Sequence, residues 1–254
     1  MIYICIPAYN EAATIGVVLW KIRQVMTEFP RDYEILVLDD GSTDETQEVL
    51  GPYERVLPLA VLKNEEREGY AAAVDRLLRE ASKRATHPRR DVAVTMQADF
   101  TEGPEDIPAL IKRIEGGADI VEGAVTHESG TVPRAMRWSR KGLPLLLGAD
   151  HMPEGIRDPI SGFRAYRIAV IRKALEDRNG TPLLTGDGWA ANVELLFVLA
   201  PHSRRTEGTD ISRRHDRRQR ESRVRTWSAL VSLWTTARRA RSTPLTTRNP
   251  EKTG

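Results

Sequence analysis

The chain has 254 residues and a formal charge of only +2, since 38 Lys and Arg nearly balance 36 Asp and Glu. The balance hides a polarity, because residues 201–254 hold 14 basic and 5 acidic side chains, which leaves the rest of the chain net negative. An acidic body with a basic end argues against a generic nucleic-acid binder and favours an end that meets a phosphate or a membrane surface. The single cysteine excludes an internal disulfide framework and a multi-cysteine zinc site.

Strands and helices are expected to alternate along the first half of the chain. Apolar runs predict five strands, at residues 2–6, 34–38, 59–62, 92–96 and 119–123. Apolar residues at helical spacing predict helices over 12–26, 69–84 and 107–114, and a further helix is predicted after residue 43. Asn10 is expected to cap the first helix, and Ser42 or Thr43 the second, with Glu45 in its first turn. This alternation predicts a mostly parallel sheet whose ligands lie beyond the carboxyl ends of the strands.

The second half is less regular. A helix over 132–147 would carry Arg134 and Arg137, and residues 158–166 are expected to run from a loop into a strand. Further helices are predicted over 167–176 and 189–199, and the Arg-rich stretch 204–225 is expected to be extended or loop. Residues 226–241 form a helix candidate, and 242–254 look like a disordered tail.

Carboxylates follow two of the predicted strands. Asp39 and Asp40 begin the segment DDGSTD, and Asp99 ends the segment QAD. Carboxylates at strand ends can accept from a base or ribose or bind a divalent cation, but turns and helix caps also use them, and both readings stay open for each cluster. Cys5 lies within the first strand and is expected in the core.

Several catalytic signatures are missing from the sequence: it has no GxxxxGK[ST], no GxGxxG after the first strand, no HExxH and no GxSxG. A phosphate-bearing ligand would therefore need a metal and arginines such as Arg134, Arg137 and Arg164, since arginine suits bidentate phosphate contact. Arg134 and Arg137 could equally be a solvated helix face.

In order, the segments IPAYNEAATIG, LVLDDGSTDET, a polar loop ending at Gly69, QADF, DPISGFRAYR and Arg-x-x-x-Ser-Arg before Trp227 form a pattern. It resembles the inverting family 2 glycosyltransferases of GT-A fold, in particular the dolichyl-phosphate mannose synthase branch. The resemblance implies a Rossmann-like α/β domain over residues 1–225, with a mostly parallel sheet flanked by helices and a basic C-terminal extension.

The resemblance also implies roles for individual residues. Mg²⁺ or Mn²⁺ would be held by Asp99 together with Gln97, and the catalytic set would be Asp99, Asp158 and Arg164. The nucleotide would be bound by Pro7, Tyr9, Glu11, Asp39, Asp40 and Gln97. Phosphate or acceptor contacts would come from Arg134, Arg137, Ser161, Gly162, Phe163, Arg218, Ser222 and Arg223, with Glu207 matching a family Glu.

One departure bears on the metal, because the family's usual Asp-x-Asp has become Gln97-Ala98-Asp99. Gln97 offers a neutral oxygen, so we expect weaker metal affinity or a greater dependence on the donor's diphosphate. The transmembrane helices that some relatives carry after the catalytic domain do not occur in this sequence.

The expected reaction is metal-dependent, inverting transfer of a hexose, mannose from GDP-mannose, to a polyprenyl phosphate. A phosphate acceptor is already anionic and needs little or no general base, whereas a hydroxyl acceptor would need one, for which Asp158 is the candidate. The alternatives are a soluble or glycan acceptor, or a nucleotide-sugar binder that lost activity with the missing Asp. A nucleic-acid binder ranks last.

The basic end bears on the acceptor. Trp227, Leu230, Val231 and Trp234 fall on one face of the candidate helix 226–241, with a basic cluster after them. Such a helix could lie on an anionic membrane surface or pack against the domain's own core. We expect a soluble, cytoplasmic protein in peripheral contact with the inner face of the membrane, with a membrane protein as a further partner and no nucleic acid.

Overall fold

A computed structural model of the protein describes residues 1–129, 152–186 and 188–214. Within them, seven strands form one sheet in the order β3-β2-β1-β4-β6-β5-β7. The strands are β1 (Ile2–Ala8), β2 (Tyr33–Asp40), β3 (Leu59–Asn64), β4 (Val92–Thr95), β5 (Ile120–Ser129), β6 (Arg164–Arg167) and β7 (Thr206–Arg214). Only β6 runs antiparallel to its neighbours in this sheet. The predicted mostly parallel α/β fold is confirmed.

Helices cover both faces of the sheet. They are α1 (Ile15–Glu28), α2 (Thr46–Glu54), α3 (Tyr70–Arg84), α4 (Ile107–Glu115), α5 (Ile168–Arg178) and α6 (Trp189–Leu199). Side chains alternate along β1, so that Ile4 and Ile6 join one core with α1 and α4, while Tyr3 and Cys5 join another with α3, α5 and α6. Cys5 is therefore a core residue, as predicted, and burial raises the pKa of its thiol.

In the described residues the predicted strands and helices agree with the structure to within three residues at each end, except that β5 continues six residues past its predicted end. The predicted caps are wrong. Helix α1 begins at Ile15 and α2 at Thr46, and neither first turn has a side-chain cap. Glu45 precedes α2, and the acid in its first turn is Glu48. Asn10, Ser42 and Thr43 bond to one another instead, because the loops after β1 and β2 lie side by side.

The Arg-rich stretch forms the edge strand β7 over its first part, parallel to β5. The predicted helices 132–147 and 226–241 and the tail 242–254 lie outside the described residues. No helix in the described part of the chain is long and apolar enough to cross a bilayer.

Candidate active site

The loops that follow β1 and β2 are joined by side chain to backbone hydrogen bonds. The Asn10 N–H donates to Ser42 Oγ at 2.8 Å, and the Glu11 N–H donates to Thr46 Oγ1 at 2.8 Å. Asp44 accepts from the hydroxyl and the N–H of Thr46 and from the N–H of Ala12. Burial alone would raise the pKa of Asp44, but these hydrogen bonds bring it below its usual value overall. Asp44 therefore stays ionised and braces the two loops.

The Asp39–Asp40 pair ends β2 and is buried. Asp39 Oδ1 accepts the Ser42 N–H at 3.1 Å, which is the turn contact that the DGST segment also predicts. Asp40 accepts from Asn64 Nδ2 and from the N–H groups of Glu68 and Gly69, all within 2.9 Å. Asp39 thus shapes the turn after β2, and Asp40 shapes the loop between β3 and α3. Contact of either carboxylate with a nucleotide stays a prediction.

The loop between β3 and α3 lies directly against the end of β2. Gly41 has a φ of +68°, and a Cβ there would lie 2.8 Å from the backbone nitrogen of Arg67. Because no side chain fits, the loop can approach until the Arg67 guanidinium lies 4.3 Å from the centre of the Tyr9 ring. An aromatic ring, a guanidinium and the Asp39 carboxylate therefore border the carboxyl ends of β1 and β2.

The remaining predicted nucleotide residues lie nearby in the fold. Pro7 pairs in register with Leu38 inside the sheet, and Glu11, in the loop after β1, is buried and accepts from Thr14 Oγ1 at 3.0 Å. The sequence marks Arg67 only as part of the polar loop before Gly69, which could border a ligand or be a plain loop, and its stacking on Tyr9 depends on the loop geometry.

The segment after β4 carries the residues predicted to bind a metal. Asp99 is buried, and its Oδ1 accepts from Thr101 Oγ1 at 2.7 Å and from the Thr101 N–H at 3.2 Å. The Gln97 N–H donates to Glu102, whose carboxylate is fully buried. These bonds fold the segment back on itself at the edge where β1 and β2 also end.

The side chains in this segment fit a hard divalent cation that shares its ligands with a substrate. Among the described residues, no three His, Cys, Asp or Glu side chains gather into a metal site. Mg²⁺ commonly takes one or two protein carboxylates and completes its shell with phosphate oxygens and water. Asp99, with Gln97 two residues before it in the chain, matches that pattern and is a poor match for a site made of protein ligands alone.

On the other side of β4, the loop before β6 carries Asp158 and Ser161, and Arg164 is the first residue of β6; all three are buried. The Ser161 N–H donates to the Asp158 carbonyl at 3.0 Å, which makes a tight turn. Thr95 on β4 donates its hydroxyl to the Gly162 carbonyl at 2.6 Å. The predicted acceptor-side loop is thus an ordered element fixed to the sheet.

The structure corrects the expectation for Arg164. We expected its guanidinium to contact phosphate, but the side chain is fully buried. Its nitrogens donate to the backbone carbonyls of Pro159 and Asn192, both at 2.6 Å, and to that of Asp158 at 3.4 Å. In this structure Arg164 fixes backbone, because its two terminal nitrogens donate to carbonyls inside the fold.

Two buried polar residues of this region were missed by sequence analysis. Glu122 on β5 accepts the N–H of Arg157 and of Asp158, and burial raises its pKa despite the nearby Arg164 charge. Asn192 on α6 accepts from the Tyr70 hydroxyl at 2.8 Å and donates to the Ile160 carbonyl at 3.0 Å. The signal for Glu122 was a lone carboxylate within the apolar run IVEGAV.

The described part of the structure does not bring every predicted site residue to the carboxyl ends of β1, β2 and β4. Arg134, Arg137, Arg218, Ser222 and Arg223 lie outside the described residues. Glu207 on β7 forms ion pairs with Arg113 and Arg205.

Comparisons with known proteins agree with this geometry. Residues 3–175 match the family model described as glycosyl transferase family 2. The dolichol-phosphate mannosyltransferase of Pyrococcus furiosus is 34% identical over 173 residues, which cover 66% of this chain and 46% of that protein. The undecaprenyl-phosphate 4-deoxy-4-formamido-L-arabinose transferase of Pseudomonas aeruginosa is 27% identical over 219 residues, covering 82% and 59%. The chain thus spans about half the length of these curated relatives.

Solved structures share the fold at low identity. Glucosyl-3-phosphoglycerate synthase from Mycobacterium tuberculosis, in complex with phosphoglyceric acid, superposes with a TM-score of 0.67 at 20% identity, covering 96% of this chain and 81% of that one. Another structure of that enzyme contains Mn²⁺, UDP and glucosyl-3-phosphoglycerate, with a TM-score of 0.64 at the same identity. The likeness supports the GT-A architecture.

Proposed function

Because the chain belongs to glycosyl transferase family 2, we propose that it transfers a hexose from a nucleoside-diphosphate sugar to the phosphate of a polyprenyl phosphate. The observation that carries this proposal is the pair of curated relatives, whose names specify dolichol phosphate and undecaprenyl phosphate as acceptors. Mannose from GDP-mannose is the proposed donor, since the relative at 34% identity is named a mannosyltransferase.

The proposed chemistry is an in-line displacement. An oxygen of the acceptor phosphate attacks the anomeric carbon from the face opposite the diphosphate, the bond to the diphosphate breaks, and the configuration inverts. A phosphate monoester is already anionic near neutral pH, because its second pKa is about 6, so it needs no general base. In this reaction Asp158 would orient the acceptor side of the site, and only a hydroxyl acceptor would need its carboxylate as a base.

The leaving diphosphate gathers negative charge as the bond breaks. A bound Mg²⁺ or Mn²⁺ would neutralise this charge, and Asp99 and Gln97 are the residues that would hold the ion. Tyr9, Arg67 and Asp39 border the place where the base of the nucleotide would lie. Arg134, Arg137, Arg218 and Arg223 stay predicted phosphate contacts, with Ser161 and Ser222 as predicted acceptor contacts.

The proposed acceptor is a membrane lipid, so the enzyme would have to work at a membrane surface. We propose that residues 226–241 form an interfacial helix whose apolar side enters the bilayer boundary and whose basic cluster meets anionic lipid on the cytoplasmic face. Packing of the same helix on the domain remains the alternative. A membrane protein as a further partner is likewise a proposal.

A donor and acceptor panel tests the function. Purified protein is incubated with labelled GDP-mannose or UDP-glucose, Mn²⁺ or Mg²⁺, and either undecaprenyl phosphate in detergent or phosphoglyceric acid in buffer. We expect a lipid-extractable product with GDP-mannose that is absent without metal and in the Asp99→Asn variant. A product with phosphoglyceric acid alone would overturn the lipid acceptor, and no product with any pair would overturn the function.

A further inference from the structure

The peptide groups on either side of Asp158 are held by opposite charges. The Glu122 carboxylate accepts the Asp158 N–H, with oxygens at 2.9 and 3.1 Å, and also the Arg157 N–H. The Arg164 guanidinium donates to the Asp158 carbonyl and, at 2.6 Å, to the Pro159 carbonyl. An anion therefore meets two N–H groups and a cation meets two carbonyls, which is the favourable orientation for each of these four dipoles.

The sheet supplies both charges from neighbouring strands. Glu122 on β5 and Arg164 on β6 are direct partners in the antiparallel register, and directly opposed residues project from the same face. Thr95 on β4 is the partner of Arg164 on its other side, and it bonds to the loop at Gly162. Three adjacent strands thus place polar side chains in one row under the loop.

Two glycines allow the loop before β6 to approach the row of polar side chains closely. A Cβ at Gly208 on β7 would lie 2.9 Å from the Gly155 carbonyl oxygen and 3.2 Å from Glu122 Oε1. Gly155 itself has a φ of +77°, and a Cβ there would lie 2.8 Å from the Thr206 carbonyl oxygen. Because neither position accommodates a side chain, the backbone before Asp158 comes close enough for Glu122 to reach its N–H groups.

We propose that Glu122 is a positioning residue that works with Arg164 as a charge clamp, holding the backbone of Asp158 so that its carboxylate keeps one place on the acceptor side of the site. The catalytic part of this inference rests on the proposed function, whereas the clamp itself does not. Stability alone explains these two buried charges poorly, since apolar side chains of similar volume often stabilise a core as well as or better than buried charged groups do. Burial raises the pKa of Glu122, so holding this carboxylate in the core has a cost.

Glu122→Gln and Glu122→Ala test the clamp in graded steps. Gln keeps the size and one accepting oxygen but not the charge, and Ala removes both. Asp91→Asn is the matched control, because Asp91 is also a buried carboxylate, but it bonds to the N-terminal amine and the His87 N–H at the opposite, amino end of β4. Amide hydrogen exchange of a peptide covering residues 156–160, in full-length protein, reads the loop directly.

We expect exchange at this peptide to accelerate in the order wild type, Gln, Ala, and to stay unchanged in the control. Turnover with the acceptor should fall in the same order, by on the order of 10–100-fold for Ala, with an unaltered affinity for the donor. Unchanged exchange in the Ala variant would overturn the clamp. Full turnover in Ala despite faster exchange, or an equal loss of donor affinity, would overturn the positioning role. A wild type inactive on the whole donor and acceptor panel would overturn the proposed function, while exchange would still decide the clamp.

Discussion

The Asp40 carboxylate lies 2.8 Å from the backbone nitrogen of Gly69, so the last residue of β2 holds the residue that immediately precedes α3. The same carboxylate accepts from the Glu68 N–H and from the Asn64 amide. This loop also carries Arg67 over the Tyr9 ring. The buried Asp40 side chain therefore sets the geometry of the rim, meaning Tyr9 and the loop 65–69, where the base of a nucleotide is proposed to lie.

We expect Asp40→Asn to loosen that rim. An Asn side chain has one accepting oxygen in place of two and would turn an NH₂ group toward backbone N–H donors. The free energy of unfolding should fall by about 2 kcal/mol, the scale of one hydrogen bond to a charged group, as measured by urea denaturation. The thermal shift produced by a nucleotide sugar should shrink as well.

Glu65→Gln is the control for Asp40→Asn, because Glu65 is an exposed carboxylate in the same loop and loses the same charge. Its free energy of unfolding should match that of the wild type within about 0.5 kcal/mol. The thermal shift that a nucleotide sugar produces should also match that of the wild type. Equal behaviour of the two variants would show that the hydrogen bonds of Asp40 do not hold the loop.

Asp99→Asn should remove metal-dependent transfer while leaving the fold intact. The amide keeps an oxygen for the Thr101 contacts but carries no charge for a cation. We expect the Mn²⁺-stimulated rate to fall at least about 100-fold, a typical loss for a group that stabilises charge in the transition state. Glu105→Gln, an exposed carboxylate paired with Lys21, serves as the control and should keep the wild-type rate.

Gln97→Asp tests the departure from the family's Asp-x-Asp pattern in the opposite direction. A second carboxylate beside Asp99 would add charge and a stronger ligand for a hard cation. The Mn²⁺ concentration that gives half-maximal activity should decrease, and metal binding in the absence of donor should become measurable by calorimetry. An unchanged metal requirement would mean that residue 97 does not contact the ion.

The fold was predictable from the sequence because the signals for strands and helices are local. Apolar runs of four to eight residues and helical spacing locate most elements, and helix α6 is predicted to its two end residues. The caps failed for a nonlocal reason: Asn10, Ser42 and Thr43 are good capping residues, yet each finds its partner in the other loop, more than 30 positions away.

In the candidate site, too, features set by local sequence were predictable and features set by distant partners were not. The position of Asp99 follows from the end of a strand, but the function of Arg164 depends on carbonyls contributed by another loop and by α6. Similarly, the sequence marks Glu122 only as a carboxylate in an apolar run, because the N–H groups that it holds belong to residues 35 and 36 positions later. Neither partner could be inferred before the strands were paired.

Arg164→Lys should be strongly destabilising although it conserves the charge. The single ammonium group of Lys cannot bond carbonyls in two separate segments, so buried carbonyls lose their donors. We expect a loss of about 3 kcal/mol in unfolding free energy, measured by urea denaturation. Arg84→Lys, a surface residue paired with Glu34 and Glu80, should lose less than about 1 kcal/mol. Equal losses would contradict the buried role of Arg164.

Asp106 gives the protein a pH-dependent stability of predictable sign. Burial, with a smaller contribution from Glu105 and an opposing hydrogen bond from the Ser212 N–H, raises the pKa of Asp106 from 3.8 to about 6. Between these values the folded state keeps a proton that the unfolded state has released. The free energy of unfolding therefore falls as pH rises from about 4 to 6, and the full cost of the ionised carboxylate is present above that range.

Asp106→Asn should remove this cost, since the amide oxygen can still accept from Ser212 and no charge forms. Relative to wild type we expect little difference near pH 4 and a gain of about 1 kcal/mol at pH 7.5, a reduced figure because Asp106 is partly solvated and water screens the shift. Urea denaturation at both pH values measures it, with the exposed Asp32→Asn variant as the control. A gain that is the same at both pH values, or one that Asp32→Asn reproduces, would mean that ionisation of Asp106 is not its source.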